Sequence, residues 1–461
     1  MRRLLLVGVL AGCTTVGPDY ERPPIELPQS YPAVQPSEGT PLIQDWWTLY
    51  SDATLNELVS SARERNADVR LAAARVREAE ALAREVGAAV YPDVIAGASA
   101  TRNRVSTRAI PAPQPGVPVE RSVYQLSAST SFELDFWGRF ARGSEAAQAN
   151  LLANRFNQDL VGLTLAGSTA QSYFLLRSLD AQINVVDILI RVRRDSLAIA
   201  RARLEAGLAP ELDVHQAQSA LSDAFVQRRE TVRARSLAER QLATLTGRLD
   251  LKVIPGDLFA LPLPPVPPAG LPSALLERRP DIRAAEQTLV AANAQIGVAR
   301  AALFPAISLT AALGAQSAEL GNLVTSGAGI WTIGAGLALP LFDAGRREAR
   351  VEQADARREQ ALAGYQRSIE TAFREVSDTL VSIAETAAAE DDLSVRLQAA
   401  RSALELSNLR YESGYSPYLE VLDAQRTANE AALAFVRNRQ ARLGFSVDLM
   451  KALGGGWSLR K

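Results

Sequence analysis

One cysteine, one histidine and two methionines stand in a chain of 461 residues. So few sulfur and imidazole groups exclude a disulfide framework and a Cys/His zinc centre, and they restrict any serine triad to His215. Met1 and Met450 alone cannot build a thioether relay for copper. Neither charge dominates: 50 Lys and Arg face 51 Asp and Glu, with no long basic stretch, which argues against a nucleic-acid partner. Proline is missing from Val119 to Ala209 and again from Leu341 to Ser416. An interior proline removes a helix hydrogen bond and clashes with the turn before it, so these two intervals are free to be very long helices.

What is present begins at the N-terminus. Met1-Arg2-Arg3 is positive, Leu4 to Leu10 is apolar, and Leu10-Ala11-Gly12-Cys13 ends in the sole cysteine. The apolar run of about 7 residues is far short of the roughly 20 that a membrane-spanning helix needs, so it reads as an export signal. The pattern resembles a bacterial lipobox. That resemblance implies cleavage before Cys13, a diacylglycerol on its thiol and an acyl chain on its freed amine. Thr14 stands where an Asp would suggest retention in the inner membrane, so the outer membrane is the expected address.

The chain repeats itself once. Asp68-Val69-Arg70 and Tyr91-Pro92 return as Asp281-Ile282-Arg283 and Phe304-Pro305. Gly138-Arg139 returns as Gly345-Arg346, Gly207-Leu208-Ala209-Pro210 as Gly414-Tyr415-Ser416-Pro417, and Leu245-Thr246-Gly247 as Ala452-Leu453-Gly454. The offset contracts between the Tyr-Pro and Gly-Arg marks, so the first copy carries an insertion, and Pro111, Pro113, Pro115 and Pro118 make it a loop. Each copy reads helix, strand pair, very long helix, Gly-Pro break, helix. The predicted organisation is a signal peptide over 1–12, a lipidated extended linker over 13–54, a first repeat over 55–250, a proline-rich linker over 251–270, a second repeat over 271–455 and a tail over 456–461.

Ser144 to Glu205 and Arg347 to Ser413 are rich in Ala, Leu, Arg, Gln and Glu, all good helix formers. At about 1.5 Å per residue, each predicted helix spans on the order of 90 Å. Leu362, Ile369, Val376 and Ile383, with Phe373, Leu380 and Ala387 four residues further on, form a coiled-coil seam. A soluble stalk would carry the same seam; the strands separate the two readings. Trp331, Ile333, Ala335, Leu337 and Leu339 alternate with Thr332, Gly334, Gly336 and Ala338, and Tyr124, Leu126, Ala128, Thr130 and Phe132 alternate with polar neighbours. Ile307, Leu309, Ala311 and Leu313, and Val94, Ala96 and Ala98, do the same in the partner strands. Such segments suit tilted transmembrane strands with one lipid-facing side, carried here by Tyr124, Leu126, Phe132, Ile307, Leu309, Leu313, Trp331, Ile333, Leu337 and Leu339. Four strands cannot close a barrel, and an open edge in lipid leaves backbone groups unpaired, so several copies must share one. Three copies, with twelve strands, are the smallest set with room for a lumen.

Four stretches then match a known family: Asp45-Trp46-Trp47 with Leu55; Gly270-Leu271-Pro272-Ser273 through Arg278-Arg279-Pro280-Asp281-Ile282 to Ala284-Ala285-Glu286; Ala291-Ala292-Asn293-Ala294 to Phe304-Pro305; and Tyr418 to Gln425. The chain resembles the TolC-like outer-membrane factors, most closely the lipoprotein branch serving resistance-nodulation-division pumps. The resemblance implies a mixed fold: a long α-helical coiled-coil barrel joined to a transmembrane β-barrel, four strands per chain and twelve in a homotrimer. It implies a passive exit duct for small molecules, with a periplasmic adaptor, an inner-membrane pump and outer-membrane lipid as partners. No cofactor, metal or catalytic residue is expected. A paired-acid hydrolase built on Glu420 and Asp423 would lack a pocket, since the two lie on consecutive turns of one helix. The exit channel of a type I protein-secretion system is the same-fold alternative.

By the same resemblance, Leu419, Glu420 and Asp423 match a constricting leucine and two acidic ring positions of a periplasmic gate, Tyr411 its tyrosine and Arg426 a nearby arginine. Leu212 and Asp213 take the places of Leu419 and Glu420 in the first copy. Gln216 replaces the acid that Asp423 represents, and Ser416 stands where some members have an arginine. A ring of carboxylates in a narrow neck would favour cations. His215, beside a helix start, reads as a surface residue.

Overall fold

The computed structural model describes residues 15–25, 28, 31, 44–108, 110, 116, 118–266 and 272–455; the expected signal, Cys13 and the tail lie outside the described residues. The order of elements follows the repeat. Helices α1 (Ala53–Arg65) and α2 (Ala67–Ala88) lead into strands β1 (Asp93–Arg104) and β2 (Glu120–Leu134), then α3 (Arg139–Glu205) and α4 (Glu211–Thr246). The second copy gives α5 (Leu275–Arg278), α6 (Pro280–Ala301), β3 (Ala306–Ser317), β4 (Gly329–Ala338), α7 (Arg346–Glu412) and α8 (Tyr418–Ala452). The first long helix starts five residues earlier than expected and the second one residue earlier, and both end within one residue of expectation.

Local chemistry sets the boundaries. Asp52 caps α1, its carboxylate accepting from the Leu55 amide at 2.8 Å. The two long helices end alike: Gly207 (φ 69°) and Gly414 (φ 81°) take the left-handed region, and the Leu208 and Tyr415 amides donate to the Arg203 and Arg410 carbonyls, both at 2.8 Å. That is the glycine stop of a helix, and only glycine adopts it without strain. Pro210 and Pro417, at φ −73°, then lead into α4 and α8. Along α7 the expected seam is present: Ile369, Val376 and Leu380 are buried, with Tyr365 and Ala372 beside them.

The chain forms two compact units, and neither is one of the repeats. The first takes the segment up to Pro23 with 77–153 and 285–364; the second takes 24–76, 154–284 and the chain from Tyr365 onward. Each therefore draws on both copies.

In the first unit the strands make one antiparallel sheet in the order β1-β2-β3-β4. The two hairpins join through β2 and β3, where Phe132 faces Leu309 and Leu134 faces Ile307. Residues directly opposite share a face. The register Ala98↔Leu126↔Ala315, Ala96↔Ala128↔Leu313↔Trp331 and Phe132↔Leu309↔Ala335 therefore collects the alternating apolar rows of all four strands on one side, with Ile95 and Ile330 left on the other. Ser127, Ser129, Ser131, Ser308, Thr310 and Thr332 fall on the other. Leu339, expected within the last strand, lies one residue beyond it, because Pro340 has no N–H to continue the ladder and restricts the residue before it.

The first unit also holds an N-terminal strap. The Val16 amide donates to the Trp137 carbonyl at 3.0 Å, Asn293 Nδ2 donates to the Pro18 carbonyl at 2.8 Å, and Arg142 donates to Asp19 at 2.5 Å. Arg22 grips Glu286 through two nitrogens, at 2.6 and 2.9 Å. Gly17 crosses Gly297 so closely that a Cβ on Gly17 would lie 2.5 Å from the Gly297 Cα, and one on Gly297 would lie 2.8 Å from the Val16 carbonyl oxygen. Gly297→Ala is expected to lift the strap at a cost of about 1–3 kcal/mol. Limited Glu-C digestion after Glu21 reads it, because Pro23 blocks trypsin at Arg22: faster cleavage in the variant is the expected result, and parent-like cleavage contradicts it.

In the second unit, the stretch expected as a plain extended linker over 13–54 does more than connect. Trp46–Tyr50 coils into a 3-10 helix, with Trp46 and Tyr50 fully buried. Tyr50 packs against Phe174 at 4.9 Å between ring centroids, and its hydroxyl pairs with Ser446 at 2.7 Å. Leu55, Leu58, Leu176, Leu242 and Leu443 complete this core.

Candidate functional site

The helix stops after α3 and α7 put four helix ends into the second unit, and the residues singled out for a gate gather there. Tyr411, in the last turn of α7, is buried to 4% exposure. Its ring lies 5.3 Å from that of Tyr418, within an apolar cluster of Val186, Leu189, Leu197, Leu221 and Val421. Its hydroxyl donates to Asp213 Oδ2 at 3.2 Å. Burial, and then the Asp213 carboxylate, push the Tyr411 hydroxyl up to about 12, so it remains a donor throughout the physiological range.

Arg203, at the end of α3, reaches from the first copy to the second. Its Nη1 donates to the carbonyls of Tyr411 at 2.8 Å and Glu412 at 3.0 Å, and its guanidinium stands 4.9 Å over the Tyr411 ring. The last carbonyls of a helix have no partner within it, so this cation both bonds them and meets the negative end of the α7 dipole. Sequence reasoning missed Arg203. A signal existed, because the repeat sets Arg203 and Arg410 at matching places before the two glycine stops.

Arg410 binds differently. Its Nε donates to Glu420 Oε1 at 3.0 Å within the second copy, and Arg426 donates to Asp423 at 2.7 Å. Glu420 and Asp423 share a helix face, and each is engaged by an arginine of its own chain. Leu212 and Leu419 are 60% and 63% exposed and make no part of the apolar cluster. Gln425, fully buried, donates to Ser196 at 2.8 Å and was also missed, since a glutamine on a helix carries no distinguishing pattern. His215 lies 3.5 Å from Glu211 and is exposed, as expected of a surface residue.

The second feature lies in the first unit. Of the ten residues expected to face lipid, nine lie on the apolar side of the sheet and Leu339 just past it. Trp331, Ile333, Leu337 and Leu313 are each two-thirds or more exposed in the single chain. A contiguous apolar face of this kind marks an interaction surface with lipid or protein. Among the described residues no helix is long and apolar enough to cross a membrane.

A family model for outer membrane efflux proteins matches residues 58–248 and 271–455, once for each repeat. The chain belongs to this family. The toluene efflux pump outer membrane protein TtgF of Pseudomonas putida is 36% identical over 97% of this chain and 95% of its own. The probable outer membrane lipoprotein SilC of Salmonella typhimurium is 33% identical over 97% of each. Among solved structures, the outer-membrane channel OprN superposes with a TM-score of 0.89 at 30% identity, covering 96% of this chain and all of OprN. CusC superposes at 0.86, also at 30% identity, over 96% of this chain and all of its own. This efflux protein is accordingly an outer-membrane channel with a long periplasmic helical extension, a passive conduit and not an enzyme. Its relatives are the outer-membrane components of efflux pumps.

Proposed function

We propose that three copies of this efflux protein close one twelve-stranded barrel, with the apolar sheet face against outer-membrane lipid and the helix stops forming a periplasmic gate. The observation that carries this reading is the sheet itself. Within one chain β1 and β4 each pair with a single strand, leaving two open edges beside an exposed apolar face. Unpaired backbone groups cost several kcal/mol each in lipid, so the edges must be joined by other copies. Cys13 carries the lipid anchor, and the strap over 15–22 tethers that anchor to the sheet-bearing unit. A periplasmic adaptor and an inner-membrane pump dock at the gate end and supply the energy. The cargo is small molecules, as the toluene pump named for TtgF suggests; a type I secretion exit channel is the alternative.

Two measurements test this together. Cysteine pairs scanned along β1 and β4 should cross-link copies into a band of three chains, and the purified protein should give single-channel steps in planar bilayers. A monomer without conductance refutes the proposal. Ile333→Arg on the apolar face should cost roughly 2–4 kcal/mol of membrane insertion near the bilayer midplane. Thr332→Arg, one residue away on the opposite face, should insert normally and weaken cation preference. Equal insertion of the two variants, read in outer-membrane fractions, contradicts the assignment of the face.

The gate carboxylates are charge-selecting in this reading, with Arg426 masking Asp423. Arg426→Ala should strengthen cation preference in bilayer reversal potentials and Asp423→Ala should weaken it, both at nearly unchanged stability because the pair is exposed. Identical selectivity in both variants would place the charge filter elsewhere.

A further inference from the structure

Beyond Tyr124↔Ser317, the last pair of β2 with β3, the first hairpin runs on alone through Thr101↔Val123, Arg102↔Ser122, Asn103↔Arg121 and Arg104↔Glu120. At about 3.3 Å per residue this extension adds on the order of 13 Å to the rim of the sheet. Its chemistry changes abruptly. Val94, Ala96, Ala98 and Ala100 form the apolar row of β1, and the next two positions of that same row are Arg102 and Arg104. Tyr124 stands directly opposite Ala100, at the boundary. The second hairpin has no counterpart, since no basic residue lies between Ser317 and Gly329.

The arginine pair is exposed and under-neutralised. Arg102 and Arg104 are 74% and 77% exposed, and both reach one carboxylate, Glu120, at 2.8 and 3.8 Å. One anion shared by two guanidiniums leaves a net positive charge and free N–H forks. The orientation follows from connectivity: α2 enters β1 and β2 leaves into α3 at the helical end of the hairpin, so the extension lies at the other end. In an outer-membrane channel whose helices are periplasmic, that end meets the outer leaflet. An aromatic side chain at the edge of the apolar belt marks headgroup level, and the arginines follow immediately above it.

We propose that Arg102 and Arg104 of each copy bind the phosphates of the phosphorylated glycolipids that form the outer leaflet, clamping a bound lipid against the apolar row below. The guanidinium fork matches phosphate oxygens in two parallel charge-assisted bonds, and a pair of forks one row apart suits a headgroup carrying two phosphates. The acyl chains lie along Ala100, Ala98 and Ala96, whose small side chains leave room beside β2. This assignment rests on the apolar face being the lipid-facing one.

Full-length protein titrated with bisphosphorylated lipid A, and with its dephosphorylated form, tests the proposal by native mass spectrometry of retained lipid. The parent should retain the bisphosphorylated form, and Arg102→Gln with Arg104→Gln should bind it roughly tenfold more weakly, the loss of a charge-assisted pair of bonds. Glu120→Gln, which frees both arginines without removing either, should bind at least as tightly as the parent. Parent-like retention in the double variant, weaker binding in Glu120→Gln, equal retention of the dephosphorylated lipid, or displacement by inorganic phosphate at equal concentration would each overturn it. A nitroxide attached at Ile333→Cys separates this from the reading beneath. High oxygen accessibility in bilayers supports the lipid-facing face, so that a failed lipid titration then sinks the arginine site alone; accessibility to polar reagents instead sinks both.

Discussion

Tyr411→Phe combined with Arg203→Ala is expected to raise single-channel conductance several-fold and to make closed intervals rare. The Tyr411 hydroxyl is the link between the end of α7 and the start of α4, through Asp213 at 3.2 Å. Arg203 is the link between the ends of α3 and α7, through two carbonyls and the face of the Tyr411 ring. A hydrogen bond to a charged group contributes about 1.5–3 kcal/mol, towards the lower end where water can replace it, and a partly buried cation over an aromatic ring adds around 1 kcal/mol. The two links and the ring contact sum to about 4 kcal/mol, and even half of that lost per copy, summed over copies that open together, moves a gate from mostly closed to mostly open, since each 1.4 kcal/mol is roughly a factor of ten. The single variants should give intermediate open times. The sign with pH agrees: the tyrosine contribution is complete below the ordinary tyrosine value of 10.0 and is lost as pH rises through about 12. Unchanged conductance in the double variant would remove this contact from the gate.

The strands were legible in the sequence because a period of two states which face a residue occupies, and the register places every expected apolar strand residue but Leu339 on that face. Neighbour relations were not legible. The pairing of β2 with β3, which joins the two repeats, is decided by the order of strands across the sheet, and alternation within a strand is silent about that. The helix stops were legible because glycine and proline each permit few backbone conformations. Partners of the gate residues were only half legible. Tyr411, Asp213 and Glu420 are marked by resemblance, but Arg203 and Arg410 look like ordinary basic residues in the last turn of a helix, a pattern that suits the helix dipole in any protein. The aromatic helix Trp46–Tyr50 was hidden by the proline-rich run before it, which made the whole segment read as a connector.

Asp180→Ala is expected to destabilise the second unit by about 3–5 kcal/mol, the range for removing one partner of a buried ionic group. Asp180 is 3% exposed in its side chain, on the inner face of α3. It accepts from Arg177 at 3.2 Å, from Arg235 of α4 at 2.6 Å and from the Gly256 amide at 3.1 Å. The two arginines continue outward, Arg177 to the Ile254 carbonyl at 2.6 Å and Arg235 to the Val253 carbonyl at 2.8 Å, while the Val253 amide donates to Glu239 at 2.8 Å. The linker expected over 251–270 is thus fixed at its start by ion-paired side chains of two helices. Gly256 lets the Arg177 guanidinium approach, because a Cβ there would sit 2.5 Å from it and push Arg177 off its partners. Removing the carboxylate leaves Arg177 buried without an anion and Arg235 with Glu239 alone, at 3.4 Å, and the cheapest relief is for the linker to detach and admit water. Asp180→Asn, which keeps acceptors without the charge, should lose less. Trypsin cleavage after Lys252 separates the outcomes: rapid in Asp180→Ala, slower in Asp180→Asn and slowest in the parent. Equal rates would mean that the linker is held by the burial of Val253, Leu258 and Leu261, and that the ions contribute only geometry.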